Sequence, residues 1–220
     1  TAFIKVPFVG DFNAGKSSLI NRMLGVDILP TNILPETAVS YELYFSSNEK
    51  LEVWLDDKLV ETAPISQLKS LQLTPRNFVK LYLNNPVVKE WNDRNIVVVD
   101  MPGIDSGVEA HNNAILHYVQ DGTFFVLVSE VEGGTLRMST LSFIEEIKKY
   151  GAQLAVVVSK IDKKPEQEVL DVKANVESVA KRMLGDSTIV ASASAVNKDF
   201  NGVLDILNSI DAEGLIENLS

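Results

Sequence analysis

The sequence predicts an α/β fold in which a mostly parallel sheet carries helices on both faces. Short runs rich in β-branched residues alternate with segments of helical periodicity, which is the order expected of parallel strands joined by helices. Residues 96–99 and 154–158 are apolar at nearly every position, so we expect two central strands buried on both faces. A glycine-containing turn between the first predicted strand and the first predicted helix is the third indication.

The element boundaries follow from the same patterns. Strands are predicted at residues 3–9, 39–45, 51–55, 78–83, 95–99, 123–128, 153–158 and 188–191. Helices are predicted at residues 16–24, 110–119, 136–150, 167–184 and 203–210. In the 136–150 segment the apolar residues recur at helical spacing and form a single stripe, which is typical of a helix lying on a sheet.

Residues 41–95 depart from this alternation. Two alternating segments, 42–45 and 51–60, are separated by the turn-like residues 46–50, which predicts a β-hairpin. A short amphipathic helix is predicted around residues 65–73. We therefore expect an extended hairpin and helix inserted into one domain that covers residues 1–220, rather than a second domain.

Composition excludes several classes of protein. Of the 220 residues 45% are hydrophobic and 23% are charged, so a folded core is expected and disorder as the main state is not. The absence of cysteine excludes disulfides and cysteine-based zinc sites and fits a reducing compartment. The net charge of −10 argues against binding to nucleic acid or anionic lipid through the overall field, although a local basic patch could still bind either.

The two ends of the sequence and its apolar runs give no sign of a membrane segment. No run approaches the roughly 20 apolar residues that span a bilayer. The first three residues lack a basic region and an initiator Met, so we expect a trimmed domain rather than a signal peptide.

A phosphate-binding loop is predicted at residues 10–17, which match G-x-x-x-x-G-K-[ST] between a strand and a helix. Glycines in such a loop let backbone N–H groups surround a β-phosphate at a helix N-terminus. Lys16 is expected to neutralise the β- and γ-phosphates and Ser17 to ligate Mg²⁺. The alternative is a glycine turn that only caps a helix. The predicted phosphate contacts are Gly10, Asp11, Asn13, Ala14, Gly15, Lys16, Ser17 and Ser18.

A second motif, D-x-P-G at residues 100–103, follows the buried strand at 96–99. Ligands of open α/β sheets bind at the carboxyl ends of strands, where Asp100 is expected to emerge. Its carboxylate can hold a water of the Mg²⁺ shell, and the Gly103 N–H can sense a γ-phosphate.

The base-reading motif is predicted after the other buried strand, where Ser159, Lys160, Ile161 and Asp162 resemble the [NT]-K-x-D sequence of GTPases. A carboxylate at Asp162 can accept from both N1–H and the 2-amino group of guanine, whereas adenine offers neither donor there. Lys160 would lie along the base plane, and Ser159 in place of Asn or Thr predicts weaker bracing of the loop. A solvated loop without a ligand is the alternative.

The loop that follows the last predicted strand completes the set of motifs. Ser192, Ala193 and Ser194 match a loop whose backbone N–H meets the guanine oxygen in GTPases, and we assign Ser192 and Ala193 to this contact. Four motifs in the expected order thus predict the P-loop GTPase fold and binding of GTP and GDP.

With these motifs in place, the sequence resembles the GTPase domain of the dynamin superfamily, and most of all its bacterial members. The resemblance rests on residues 10–21, on L-P-x-x-x-x-P-x-T at residues 29–37, and on D-M-P-G-I at residues 100–104. It implies that Thr37 belongs to a switch loop and ligates Mg²⁺ when GTP is bound, the alternative being an ordinary turn residue.

The resemblance also implies properties of the whole protein. It implies GTP hydrolysis stimulated by a nucleotide-dependent homodimer of this domain, and action on membranes through helical parts outside the chain. The expected location is cytoplasmic, peripheral to a membrane, and no nucleic acid partner is expected. Two alternatives remain: an Era- or TrmE-like GTPase acting on RNA or ribosomes, and a weakly hydrolysing interaction protein.

Catalysis requires compensation for the charge that develops between the β- and γ-phosphates. Ile104 stands where many small GTPases carry the water-orienting glutamine. Asn13 resembles the loop residue that accompanies a monovalent cation in dynamins and in the Era and TrmE group, so we predict that it helps to hold K⁺ or Na⁺. The alternative is that Asn13 only tolerates the tight turn. The roles of Lys16, Thr37 and Gly103 in catalysis follow from their motifs.

Other charged residues near these motifs are harder to interpret. The role of Asp11 stays open because a carboxylate beside phosphates is repulsive unless it faces away. Arg137 is expected on a solvated helix face, and His111 and His117, six residues apart, are expected to be structural or surface residues.

Overall fold

The computed structural model describes residues 2–120 and 124–217. Within this part of the chain, nine strands form one sheet in the order β4-β3-β5-β2-β6-β1-β7-β8-β9. The strands are β1 (Ile4–Val9), β2 (Ser40–Phe45), β3 (Lys50–Leu55), β4 (Lys58–Ala63), β5 (Asn77–Leu83), β6 (Ile96–Asp100), β7 (Phe124–Glu130), β8 (Gln153–Ser159) and β9 (Val190–Ser192). The helices are α1 (Lys16–Leu24), α2 (Pro86–Asp93), α3 (Glu109–Gln120), α4 (Met138–Lys148), α5 (Glu166–Leu184), α6 (Asn201–Ser209) and α7 (Ala212–Glu217).

The sheet is mostly parallel, as predicted. β1 pairs in parallel with β6 and β7, and the parallel ladder continues through β8 to β9. The two strands predicted to be central, β6 and β8, are buried along almost their whole length. The α/β fold with a mostly parallel sheet is therefore confirmed.

Apolar side chains form one cluster on each face of the sheet. One cluster is covered by α1, α2 and α6, which contribute residues such as Leu19, Trp91 and Ile206. The other is covered by α3, α4 and α5, through residues such as Ile115 and Ile144. Burial of apolar area on both faces stabilises the strands in the positions from which the site is built.

The insertion differs from the sequence prediction in its pairing. The hairpin is formed by β3 and β4, which turn at Asp56 and Asp57, and not by β2 and β3. β2 instead pairs in parallel with β5 and antiparallel with β6. The predicted hairpin partners were wrong because alternating polarity identifies a strand and its buried face, but not the strand beside it.

Two helical segments of the insertion also differ. The helix predicted around residues 65–73 is a short 3-10 helix, Ile65–Ser70. The sequence analysis missed α2, although its start carries a clear signal: the Asn85 side chain accepts from the N–H groups of Val87 and Val88, and Pro86 occupies the first turn.

Residue 123 of the predicted strand 123–128 lies outside the described residues, and β7 continues to Glu130.

The parallel strands bring the predicted motifs to one edge of the sheet. β1, β6 and β8 end at residues 9, 100 and 159, immediately at the three predicted motifs. Neighbouring parallel strands end on the same side, so the loops that follow them meet. Among the described residues, none of the helices has the length and hydropathy needed to cross a lipid bilayer.

Gly10 is held close against β7. A Cβ at this position would lie 2.2 Å from the backbone oxygen of Val128, which cannot move without disturbing the parallel ladder. Gly25, at the end of α1, has a φ of 75° but open space around it. Both glycines thus have a positive φ, 157° at Gly10, but only Gly10 is also held by packing.

We expect Gly10→Ala to lower the free energy of unfolding by about 2–3 kcal/mol because the new methyl group overpacks the strand interface. Gly25→Ala, the matched control, should cost only about 1 kcal/mol, the strain of a left-handed alanine. Urea denaturation followed by tryptophan fluorescence measures both. Equal losses in the two variants would contradict the packing explanation.

Candidate functional site

The phosphate-loop segment folds as a tight turn into α1. A short 3-10 turn, Phe12–Ala14, is followed by Gly15 in the left-handed region, with a φ of 79°. Lys16 is buried, and its Nζ donates to the backbone oxygens of Gly10 and Asp11 at 3.2 and 3.3 Å. Burial lowers the pKa of Lys16, an effect opposed by the charges of Asp100, Asp105 and Asp11. The loop thus encloses a cation whose hydrogen bonds go to neutral carbonyl groups.

Asp100 and Ser17 form the predicted metal-binding corner. The Ser17 hydroxyl donates to Asp100 Oδ2 at 2.5 Å, while the buried Oδ1 has no hydrogen-bond partner within the described residues. Burial raises the pKa of Asp100 from 3.8 to about 6, although the Lys16 charge and the Ser17 hydrogen bond lower it. A buried carboxylate oxygen without a partner suits an Mg²⁺-bound water.

The same corner holds few protein ligands. In the described parts of the chain, no group of three or more His, Asp or Glu side chains is arranged to hold a metal. Mg²⁺ usually keeps several waters and is bound by one or two protein groups together with substrate phosphates. Ser17 and Asp100 fit that pattern.

The base-reading segment is tied to the phosphate loop. The buried Ser159 hydroxyl donates to the backbone oxygen of Ala14 at 2.7 Å, so serine makes the bracing contact that the sequence analysis expected to be weak. Lys160 has a left-handed φ of 58°, and its Cε would lie 3.2 Å from a Cβ on Gly15. The stem of Lys160 therefore lies beside the loop.

Asp162 is oriented by a residue that the sequence analysis did not assign to the site. The fully buried Ser194 donates its hydroxyl to Asp162 Oδ1 at 2.7 Å. The Ala193 N–H donates to the Val158 oxygen at 2.8 Å, so it extends the sheet instead of being offered to a ligand. Ser192 lines a separate cavity beside α6. Ser194 had already appeared as the third residue of the S-A-S loop, which was the available signal.

A cavity of about 270 Å³ joins the two halves of the site. Residues 12–19 line one side, and Lys160 and Asp162 line the other. The cavity therefore brings together most predicted contacts: Asn13, Ala14, Gly15, Lys16, Ser17, Ser18, Lys160, Asp162 and Ala193. Gly10, Asp11 and Asp100 lie behind this lining and are joined to it by hydrogen bonds from Lys16 and Ser17. Gly103 lies beside the Phe12 backbone, where a Cβ would be 3.0 Å from the Phe12 nitrogen.

The structure does not bring Thr37 into this cavity. Thr37 lies in a short 3-10 turn, Pro35–Thr37, and its hydroxyl donates to the Leu34 oxygen at 3.2 Å. It lines a neighbouring cavity of about 770 Å³, which shares Ser18 and Thr31 with the first. In this arrangement the hydroxyl is engaged in its own turn.

Asp11, whose role the sequence left open, faces away from the cavity lining. Its Oδ1 accepts from the Ser139 hydroxyl at 2.7 Å, and its Oδ2 lies 3.9 Å from Arg137. Arg137 in turn donates to Glu130 at 2.7 Å. Arg137 is exposed, as the sequence analysis expected, but its guanidinium also lies 3.9 Å from the Asp11 carboxylate of the phosphate loop.

The D-x-P-G loop is fastened to the phosphate loop by two hydrogen bonds. The Ile104 N–H donates to the Gly10 oxygen at 3.0 Å, and the Phe12 N–H donates to Asp105 Oδ1 at 2.9 Å. The sequence analysis missed Asp105, since no motif extends to it.

His111 links the two loops on either side of the site. Its Nε2 lies 2.7 Å from the Ala38 oxygen and its Nδ1 lies 2.7 Å from the Ser106 hydroxyl. A carbonyl oxygen only accepts, so Nε2 carries the proton and Nδ1 accepts from Ser106. Burial lowers the pKa of His111, although the Ala38 hydrogen bond opposes this. The predicted structural role thus takes the form of a neutral bridge between the Thr37 and D-x-P-G loops.

Comparison with known protein families finds a match over the residues that carry these motifs. The family model described as Dynamin family matches residues 6–161, which contain the phosphate loop, the Thr37 loop, D-x-P-G and the start of the base-reading segment. The chain belongs to the dynamin family. It contains a dynamin-like GTPase domain, and this confirms the resemblance noted in the sequence.

Relatives and solved structures agree with this assignment. The chain is 23% identical to dynamin-like protein 2 of Campylobacter jejuni over 226 aligned residues, covering 97% of this chain and 36% of that protein. It is similar in fold to a solved chain of an oligomerised bacterial dynamin pair, described as sensing and tethering membranes, with a TM-score of 0.70, 17% identity and coverage of 90% of this chain and 41% of that one. The chain spans less than half the length of the curated relatives it matches.

The fold is also shared with GTPases of another group. Era from Aquifex aeolicus bound to GDP·AlF4⁻ matches with a TM-score of 0.56 and 17% identity, covering 96% of this chain and 57% of that one. This similarity concerns the fold alone. The dynamin family match therefore decides between the two groups.

The raised pKa of Asp100 predicts a pH-dependent stability. When a carboxyl has a higher pKa in the folded than in the unfolded chain, the folded protein loses stability as the pH rises between the two pKa values. For Asp100 this range runs from 3.8 to about 6. We expect Asp100→Asn, which is neutral, to stabilise the magnesium-free and nucleotide-free protein by about 2 kcal/mol at about pH 7 and by less at about pH 5.

Urea denaturation in chelating buffer at the two pH values measures this difference. Asp186→Asn, at an exposed aspartate, is the matched control and should leave the stability nearly unchanged. A destabilised Asp100→Asn variant at neutral pH would contradict the desolvation of this carboxylate.

Proposed function

We propose that this dynamin-family domain binds GTP together with Mg²⁺ and hydrolyses it to GDP and phosphate. The observation that supports the proposal is that a single cavity is lined both by the phosphate loop, including Lys16, and by the base-reading carboxylate of Asp162. The domain is proposed to extend over residues 1–220, with the insertion at 41–95.

Guanine selectivity follows from Asp162. Ser194 occupies one oxygen of that carboxylate, which fixes its orientation and leaves acceptor capacity for the two N–H donors of guanine. An adenine base would leave these acceptors unpaired in a partly buried position, which costs binding free energy. Lys160, held beside Gly15, is proposed to cover the base.

The phosphate end is organised by Lys16, Ser17 and Asp100. The buried Lys16 ammonium is proposed to exchange its carbonyl partners for phosphate oxygens, which compensate its charge more fully. Ser17 would ligate Mg²⁺ directly and Asp100 would hold one of its waters; the ion supplies charge neutralisation between the β- and γ-phosphates. Gly103 and Thr37 are proposed to contact the γ-phosphate and Mg²⁺ after the Thr37 loop has moved.

Charge compensation during hydrolysis is assigned to Asn13. Its side chain is exposed in the lining of the cavity, where its carbonyl oxygen can ligate K⁺ or Na⁺. An exposed residue does not enclose a cation alone, so we propose that a second copy of the domain completes the site in a nucleotide-dependent homodimer.

The wider activity lies with the full-length protein. We propose a cytoplasmic protein, peripheral to membranes, that acts on them through parts outside these residues, as inferred from the family. Nucleic acid is not expected as a partner because the net charge is −10. RNA binding by the full-length protein would favour the Era-like alternative.

Titration calorimetry with GDP, the non-hydrolysable analogue GppNHp and the corresponding adenine nucleotides, all with Mg²⁺, tests the proposal. Binding of both guanine nucleotides and at least about tenfold weaker binding of the adenine nucleotides is expected, since the lost hydrogen bonds are worth more than about 1.4 kcal/mol. No binding, or equal binding of guanine and adenine nucleotides, would refute the proposed site.

A pair of serine variants examines the base-reading carboxylate. Ser194→Ala should weaken GDP binding about fivefold because Asp162 loses the hydrogen bond that orients it. Ser192→Ala should leave GDP binding unchanged, since Ser192 lines a different cavity. Equal effects of the two substitutions would contradict the assignment of Ser194.

Hydrolysis is expected to depend on the monovalent cation. GTP turnover should be at least about tenfold faster in K⁺ or Na⁺ than in choline, in line with the loss of one stabilising group from a transition state. Asn13→Ala should remove most of this difference. Equal rates in all three buffers would eliminate the role of Asn13, and a turnover rate independent of protein concentration would eliminate activation by the homodimer.

A further inference from the structure

Asp105 makes a contact that the proposed nucleotide site does not use. Its Oδ1 accepts from the Phe12 N–H at 2.9 Å, although 93 residues separate the two in sequence. A Cβ on Gly103 would lie 2.8 Å from the same oxygen and 3.0 Å from the Phe12 nitrogen, so this exposed carboxylate reaches the phosphate loop across the space beside Gly103. The D-x-P-G loop is thus held to the phosphate loop by an anionic group.

This anionic group lies at the phosphate end of the site. Phe12 precedes Asn13 in the loop whose N–H groups would surround phosphates, and Asp162, the base-reading residue, lies across the cavity. The charge of Asp105 raises the pKa of Lys16, so its field reaches the ammonium that would bind the β- and γ-phosphates. A γ-phosphate bound beside Lys16 would therefore meet the like charge of the Asp105 carboxylate at this end of the loop.

We propose, building on the proposed GTP site, that Asp105 discriminates between nucleoside diphosphates and triphosphates. With a diphosphate the carboxylate keeps its hydrogen bond to Phe12. A γ-phosphate repels the carboxylate and takes its place near Lys16, so binding of a triphosphate separates the D-x-P-G loop from the Phe12 N–H. Asp105 consequently lowers affinity for the triphosphate and makes the loop respond to it.

The response has a direct route to the Thr37 loop. Ser106 follows Asp105 and donates to Nδ1 of His111, whose Nε2 donates to the oxygen of Ala38, the residue after Thr37. Both contacts are 2.7 Å long and connect buried or half-buried groups. Displacement of Asp105 moves Ser106, and the Thr37 loop then loses the bridge that holds it outside the nucleotide cavity.

The test compares GDP and GppNHp binding to the wild-type chain and to Asp105→Asn, which keeps the shape and an acceptor oxygen but removes the charge. We expect GppNHp to bind about fivefold to tenfold more tightly to the variant, while GDP affinity changes less than about twofold. Glu109→Gln, which removes an exposed charge from the start of α3, is the control and should not change the ratio of the two affinities.

Hydrogen–deuterium exchange of residues 34–39 gives a second readout. In the wild type, GppNHp but not GDP should change their exchange. In Asp105→Asn, which keeps an acceptor for the Phe12 N–H but lacks the repelled charge, GppNHp should change their exchange less than in the wild type. If the wild type binds neither nucleotide, the proposed GTP site itself fails. If it binds both but the variant keeps the wild-type affinity ratio, or the loop exchange does not distinguish the nucleotides, the role of Asp105 is overturned.

Discussion

The buried ammonium of Lys16 is the constraint on which the site depends. It is removed from water, and its hydrogen bonds go to two carbonyl oxygens, a poor substitute for anionic partners. Three aspartates supply the opposing charge: Asp100 and Asp105 from the D-x-P-G segment and Asp11 from the phosphate loop. In the proposed complex, the phosphates and their Mg²⁺ would add charge beside these carboxylates, so nucleotide binding and the position of the surrounding loops are coupled electrostatically.

The phosphate loop is positioned by its neighbours as much as by its own sequence. Gly10 is packed against β7, Asp11 is held by Ser139, and Ala14 accepts from Ser159. Each of these contacts comes from a different strand or loop of the sheet. A loop fixed from several sides keeps its N–H groups oriented without a ligand, which lowers the ordering cost of binding. The same contacts mean that movement of any one of these neighbours also displaces the phosphate loop.

The sequence predicted those parts of the molecule that depend on local pattern and strand direction. The phosphate loop, Asp100 and Asp162 follow predicted parallel strands, so their convergence could be inferred before any side chain was placed. The strand pairing in the insertion could not be inferred, because a strand's pattern does not identify its neighbour. The helix after Asn85 was overlooked, although its capping signal is local. Ser194 and Asp105 act on residues 32 and 93 positions away, and no local pattern encodes such distances.

A neutral histidine suits the position of His111 better than a charged one. The Ala38 carbonyl requires a proton on Nε2, and in the neutral ring Nδ1 then accepts from the Ser106 hydroxyl. Burial favours that form, so the bridge persists at neutral pH without a counterion. Because it consists of two uncharged hydrogen bonds, breaking it leaves no buried charge behind. Separation of the two loops therefore costs two neutral hydrogen bonds, about 1 kcal/mol each.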